Sequence, residues 1–318
     1  MKKILVIALL CMGMLPFTAV DSAAQHYGVD GISINYCDSQ LKNPNLVTTR
    51  KFTPKAFQTL QASTAVEVVY TSTTSQKAQV KVTVTREYAD YLVAEVSHGG
   101  TLNIYWDTQR LKRDFKRKKF DLAARVEVDA PTPDVIKSES GASISIPQTL
   151  TVSKTLTMSA TSGSEIEAES IECAALNAST TSGASFEAKS VRCTTANVSV
   201  SSGSKVDVER LNASKSVELN ASSGSKIDAD NLTGDGKVNA DASSGSSISL
   251  SGKTNGEVSL VASSGASIDA YDLVVPFAIA KASSGAKVKA PKAKELQFKE
   301  DSCGDVHWKG TPTVTKIK

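Results

Sequence analysis

Aromatic side chains are scarce in this sequence. Only 5% of its 318 residues are Phe, Trp or Tyr; eleven of them lie between Tyr27 and Phe120, and between residues 138 and 290 there are three, Phe186, Tyr271 and Phe277. A stretch of about 150 residues rich in Ser, Ala, Thr and Gly must build its core from small and β-branched side chains, which excludes most compact enzyme folds for it. Histidine is rarer still: His26, His98 and His307 have no metal-ligand spacing, and the many serines have no base partner in sequence. A phosphate loop and a dinucleotide fingerprint are both missing, which removes nucleotide chemistry. Charge of one sign is also lacking: 36 basic against 33 acidic residues give +3, so the balance offers no global argument for a nucleic-acid partner. After the first twenty residues no segment approaches the roughly twenty apolar residues of a membrane span.

The N-terminus reads as an address. Lys2 and Lys3 precede an apolar run from Ile4 to Phe17, and Ser22, Ala23 and Ala24 follow, the three-part pattern of a secretory signal peptide with cleavage expected after Ala24. Cys11 follows the bulky Leu10, which argues against a lipobox. The mature chain is expected outside the cytoplasm, in the periplasm, on the outer-membrane surface or secreted. Removing the peptide leaves 34 basic against 32 acidic residues.

What the sequence has in abundance is a repeat. Two hydroxyl residues, then Gly, then Ser or Ala recur with glycines at Gly163, Gly183, Gly203, Gly224, Gly245, Gly265 and Gly285, preceded by a degenerate copy at Gly141; the spacings are 22, 20, 20, 21, 21, 20 and 20 residues. Three residues after each Gly stand Ile144, Ile166, Phe186, Val206, Ile227, Ile248, Ile268 and Val288, and five after come Ile146, Ala168, Ala188, Val208, Ala229, Leu250, Ala270 and Ala290. Seven, five and three residues before, apolar or small residues again alternate, as in Val217, Leu219 and Ala221. Alternation with period two is the signature of a strand with one buried face. Each repeat is therefore expected to hold two short strands meeting at a hydroxyl-Gly corner, where Gly takes positive φ at no cost.

A period of 20 to 22 is too short for helical solenoids and half that of a propeller blade. The fold class expected is all-β, a parallel β-helix or β-solenoid with about 20–22 residues per coil, stacked about 4.8 Å apart. Residues 25–137 carry ordinary alternating strands around Phe57-Leu60, Val66-Tyr70, Val80-Val84, Leu92-Val96, Leu102-Trp106 and Leu122-Val128, and are expected to cap or start the solenoid. Residues 138–290 form the repetitive ladder, and residues 291–318, with Phe298 and Trp308, close the other end, because an open solenoid end exposes unpaired edges.

Phe52-Thr53-Pro54-Lys55-Ala56-Phe57, Val66-Glu67-Val68-Val69-Tyr70, Gly99-Gly100-Thr101-Leu102-Asn103-Ile104, Val126-Glu127-Val128-Asp129-Ala130-Pro131 and Ser140-Gly141-Ala142, followed by the Ser-Gly ladder, give the chain a pattern that resembles the head GIN domain family of auto-transporter adhesins. The resemblance covers about residues 50 to 300. It implies a right-handed single-stranded β-helix, exported from the cytoplasm, with no assigned catalytic residues. An autotransporter's C-terminal membrane barrel of long alternating strands is not present in this sequence.

Three sets of residues carry chemistry. Arg110, Lys112, Arg113, Lys116, Arg117, Lys118 and Lys119 bring seven basic charges against the single acid Asp114. They form either a surface for an anionic glycan, lipopolysaccharide or nucleic acid, or a solvated loop between two strands. Glu167, Glu187, Asp207, Asp228 and Asp269, interrupted by Ser249, make an acidic column four residues after the glycines. Such a column could take Ca²⁺ or share a proton as a glycosidase pair does; Lys189, Lys205, Lys226 and Lys287 beside it favour a charge-balanced face. Cys173 and Cys193 each follow a corner Gly by ten residues and should stack on adjacent coils, within disulfide range, as a bond or as a ladder of buried thiols. Cys37 and Cys303 remain. No metal, cofactor, catalytic residue, membrane span or nucleic-acid partner is expected. The expected role is a secreted, non-enzymatic binding protein: a rigid rod presenting Ser, Thr, Asn and charged side chains at fixed spacing to a glycan or another surface ligand. The alternatives are an envelope scaffold that binds proteins, and an enzyme acting on polysaccharides through Asp207 and Asp228.

Overall fold

A computed structural model describes residues 26–29, 32–36 and 38–317. The expected signal peptide, residues 1–24, lies outside the described residues, as does Cys37.

The repeat folds into a parallel β-solenoid. At every corner the residue before the glycine and the glycine itself both take left-handed backbone, as at Ser162 (φ 56°) and Gly163 (φ 70°), and the N–H of Ser164 closes the turn onto the carbonyl of Thr161 at 3.3 Å. Positive φ at both central positions defines a type I′ turn. The glycine of one turn also donates to the serine carbonyl of the next, from Gly163 to Ser182 (3.0 Å) through Gly285 to Ser302 (3.1 Å). Left-handed backbone at a serine costs roughly 1–2 kcal/mol, and this second ladder of main-chain bonds helps offset it.

Inside the corner, the column from Ile144 to Val288 is buried at every coil. Strand register carries it further: Val68 and Val126 continue it at one end and Val306 at the other. Since like residues stack on like, each coil desolvates the one beneath, worth roughly 1.5–3 kcal/mol per aliphatic side chain.

Each coil has three strand faces, not the two expected. Between the post-corner and pre-corner strands runs a third, whose inward column is Leu150, Ile171, Val191, Leu211 and Leu232, then Gly252 and Leu273. Register shifts beside this face, between Ile146 and Thr149 or between Cys193 and Thr195, absorb the variable coil length. The inward column nevertheless keeps its place against the corners, eight residues after Gly163, Gly183, Gly203, Gly224 and Gly265, nine after Gly141 and seven after Gly245.

The N-terminal region already contributes coils. Thr59–Ser63 and Glu67–Ser72 meet at a left-handed turn, Thr64-Ala65, and pair in parallel with Val135–Glu139 and with Ser143–Ser145. Thr101–Trp106 and Ala124–Ala130 form the rung on their other side. Beyond that rung the pairing turns antiparallel, with Gln79–Thr85 on Ala124–Ala130, Val47–Phe52 on Gln79–Thr85, and Leu92–Val96 on Thr101–Trp106. A small separate sheet of His26–Val29, Ile32–Tyr36 and Lys119–Leu122 completes this end. At the other end, Lys292–Glu300, Asp305–His307 and Thr313–Lys316 extend the parallel ladder around a last corner, Ser302-Cys303. There the Phe298 ring packs 5.2 Å from Trp308.

Candidate functional site

Alternation fixes which side chains leave the rod. On the pre-corner strands the residues six, four and two before each Gly point outward, so Asn177, Ser179 and Thr181 stack on Asn197, Ser199 and Ser201, and these on Glu218, Asn220 and Ser222. The next coil adds Asn239, Asp241 and Ser243. The result is a shallow groove of about 360 Å³ that runs along the rod across five coils, from Ser179 to Ser263. It is lined mainly by Ser, Thr, Asn and Asp, with Val261 following Asp241 in the fifth coil. Amide and hydroxyl groups hold one another between coils: the Asn197 amide donates to Asn177 (2.9 Å), the Asn239 amide to Glu218 (3.1 Å), and the Ser201 hydroxyl to Thr181 (3.1 Å). Burial, helped by the Glu218 charge, raises the pKa of Asp241 above the usual carboxylate range. The groove thus offers acceptors and donors at a repeat of about 4.8 Å with little side-chain entropy left to lose.

The acidic column lies on the post-corner face in continuous register, Glu167, Glu187, Asp207, Asp228, Ser249 and Asp269. Lysines neutralise most of it. Lys205 reaches Asp207 (2.9 Å) and Glu187 (3.5 Å), Lys226 reaches Asp228 (2.7 Å) and Lys289 reaches Asp269 (2.7 Å). Glu165, beside the top of the column, has its pKa raised by desolvation and by Glu187 and Glu167. Among the described residues, no group of three or more His, Cys, Asp and Glu side chains is placed to hold a metal ion.

The basic run opens in a helix, α1 (Thr108–Phe115), passes through a short connection that holds Lys116, Arg117 and Lys118, and enters the strand Lys119–Leu122. Asp107 caps it by accepting from the Arg110 N–H at 2.9 Å, Leu111 is fully buried beneath it, and Lys116 ends it in left-handed backbone with its N–H on the Lys112 carbonyl. The seven basic residues then divide by type. Arg110 lies 5.1 Å over the Tyr91 ring and donates to the Asp90 carbonyl. Arg117 sits against Phe115 and Phe120, 5.1 Å from each, hydrogen-bonds the Tyr88 hydroxyl and pairs with Glu87 at 3.3 Å. Arg113 pairs with Asp114 at 2.8 Å and holds that carboxyl below its ordinary range. Lys112, Lys116, Lys118 and Lys119 are exposed and have no ion pair among the described residues. The knot of Tyr88, Phe115 and Phe120 around Arg117 left no periodic trace in the sequence, because its members come from three separate elements.

Cys173 and Cys193 are register partners on the third face, and both side chains are thiols. Burial pushes the Cys173 thiol up to about 11 and, with Cys173 beside it, the Cys193 thiol up to about 12. Cys303 is exposed at the last corner of the rod. Tyr36, the chain neighbour of Cys37, pairs with Leu122 at the opposite end.

A family model described as "Putative auto-transporter adhesin, head GIN domain" matches residues 56–232 and 213–312. Among solved structures, the chain is similar to a protein from Parabacteroides distasonis described as a "putative lipid binding protein", at 15% identity over 89% of this chain and 100% of that one, with a TM-score of 0.61. It is also similar to a "putative adhesin" from Parabacteroides merdae, at 13% identity over 89% of this chain and 99% of that one, with a TM-score of 0.50. These likenesses show the fold. No curated protein matches the chain.

Proposed function

The chain belongs to the family described as "Putative auto-transporter adhesin, head GIN domain", and on that premise we propose that it is an exported, non-catalytic binding module whose groove on the pre-corner face takes a repetitive polar ligand, a glycan strand. The observation that carries this reading is the groove itself, where Ser, Thr, Asn and Asp side chains stand in register on five successive coils. A ligand whose own hydroxyls repeat along its length meets matching partners without reordering the site, and preorganisation of that kind lowers the cost of binding.

Several features support a non-catalytic role. Four of the five carboxylates of the acidic column, Glu187, Asp207, Asp228 and Asp269, are tied to lysines rather than aimed at an open cleft. The His307 imidazole lies 2.7 Å from Asp305, and among the described residues no serine hydroxyl is hydrogen-bonded to it. The coils carry no long loops that could assemble a catalytic pocket over the rod. The signal-peptide pattern before Gln25 supports export, to the periplasm, the cell surface or the medium.

A glycan array probed with residues 25–318 tests this function. Binding to one class of polysaccharide is expected, and it should disappear when Asn220→Arg fills the groove. Binding that survives this substitution, or the appearance of cleaved product, contradicts the reading.

A further inference from the structure

The N-terminal end of the rod carries a second surface, which the groove does not touch. We propose that four lysines in and just after α1, Lys112, Lys116, Lys118 and Lys119, which have no ion pair among the described residues, dock this end onto an anionic phospholipid surface. The split between arginine and lysine argues for it. Arg110 and Arg117 are stacked on aromatic rings and bonded to carbonyl, hydroxyl and carboxylate oxygens, and Arg113 is held by Asp114. The forked guanidinium groups that would grip one phosphate in fixed geometry are thus already occupied. What remains outward are compact ammonium charges on long flexible stems, four within eight residues, which suit a diffuse sheet of phosphates better than a single bound ion.

The same geometry disfavours a nucleic acid. Rings that could stack bases are packed edge to face, Tyr88 on Phe115 at 5.4 Å and Phe115 on Phe120 at 6.0 Å, with Arg117 over them. The helix beneath is fixed by its Asp107 cap and by Leu111, so the lysines are held at one end of the rod. Docking there leaves the groove, which begins in the coil of Ser179, standing away from the membrane.

Vesicle flotation with the mature chain tests the proposal. Binding is expected to vesicles of phosphatidylglycerol mixed with phosphatidylcholine and not to phosphatidylcholine alone. It should weaken steeply between low salt and about 0.3 M salt, because these charges are exposed and screened. The quadruple variant Lys112→Gln, Lys116→Gln, Lys118→Gln and Lys119→Gln should lower the partition coefficient by about a thousandfold. A control with the same charge change on the rod, Lys215→Gln, Lys253→Gln, Lys281→Gln and Lys292→Gln, should retain most of the binding. Equal loss in both quadruple variants, binding to neutral vesicles, or no binding to either vesicle overturns the proposal. Competition by millimolar inorganic phosphate also overturns it, in favour of a discrete phosphate site. Salt dependence is read on the unaltered protein, so the test stands even if the quadruple variant misfolds.

Discussion

The Ser225 hydroxyl donates to the main-chain carbonyl of Val200, in the coil before it, across 2.9 Å, while accepting the Ser222 N–H at 3.0 Å. Ser246 repeats the arrangement on Ala221 and Ser243. At the same position two more coils carry Ser164 and Ser204, and the remaining four carry Ala142, Ala184, Ala266 and Ala286, all buried. The inward hydroxyl therefore stitches neighbouring coils but is not required by the turn, and the Val200 carbonyl keeps a second donor, the Ser222 N–H at 3.0 Å. Replacing Ser225 by Ala should cost about 1 kcal/mol, the net worth of an ordinary hydrogen bond, measured as a shift in the urea midpoint with an unchanged slope. A cost above about 3 kcal/mol would mean that the hydroxyl is a structural necessity.

Thr180 breaks the rule that its column otherwise obeys. Its register neighbours at the inward position are Ala160 and Val200, yet its own hydroxyl is buried without a hydrogen-bond partner. Thr180→Val keeps the shape and removes the unsatisfied group, so it should stabilise the protein by about 1–2 kcal/mol. A lower melting temperature for this variant would show that the hydroxyl has a partner after all.

Two glycines should respond very differently to a methyl group. At Gly224 the backbone is left-handed (φ 70°), but an added Cβ meets nothing within 4 Å, so Gly224→Ala should cost only the conformational penalty of about 1–2 kcal/mol. At Gly256 a Cβ would stand 1.9 Å from the Gly236 carbonyl oxygen of the coil below. Gly256→Ala must force those coils apart and should lose well over 3 kcal/mol, or the folded protein altogether. Equal stability of the two variants contradicts the close approach.

The corner ladder and the post-corner column were legible in the sequence because Gly141 to Gly285 fix the register there, and every residue from Ile144 to Val288 answers to the same buried environment. The third face escaped notice although its inward residue stands eight after five of the corner glycines, because the strand is too short for alternation to mark it and Gly252 interrupts its apolar column. The groove was legible only in part. Its Ser and Asn columns follow from alternation, but their concavity depends on how three faces close around the core. Helix α1 was hidden for another reason: eight charged residues in ten mask the single buried anchor, Leu111, that seats it.

Acidification should first stabilise the protein. Desolvation and nearby acids raise the pKa of Glu165 in the folded state, and burial does the same for Asp241. A raised carboxyl binds its proton more tightly when folded, so stability falls as pH rises through the folded value and is recovered as pH drops toward the unfolded one. Asp114 and Glu300 are lowered, the first by Arg113, the second by the Val306 N–H and Lys316, and their contribution is lost only below the usual carboxylate range. The melting temperature should therefore rise modestly from pH 7.5 to about 5 before falling in stronger acid. Glu165→Gln should flatten the rise. A monotonic fall on acidification, identical in the variant, would contradict this assignment.

The central claim is that five stacked coils read a repeating polar ligand. Isothermal titration of the mature chain with oligosaccharides of increasing length, drawn from the class that the array identifies, tests it most directly. Affinity should climb with length until the ligand spans the five coils, about 20 Å at the strand spacing, then level off, and Asn220→Arg should abolish the dependence. Affinity that is independent of length, or unchanged by Asn220→Arg, would contradict the account.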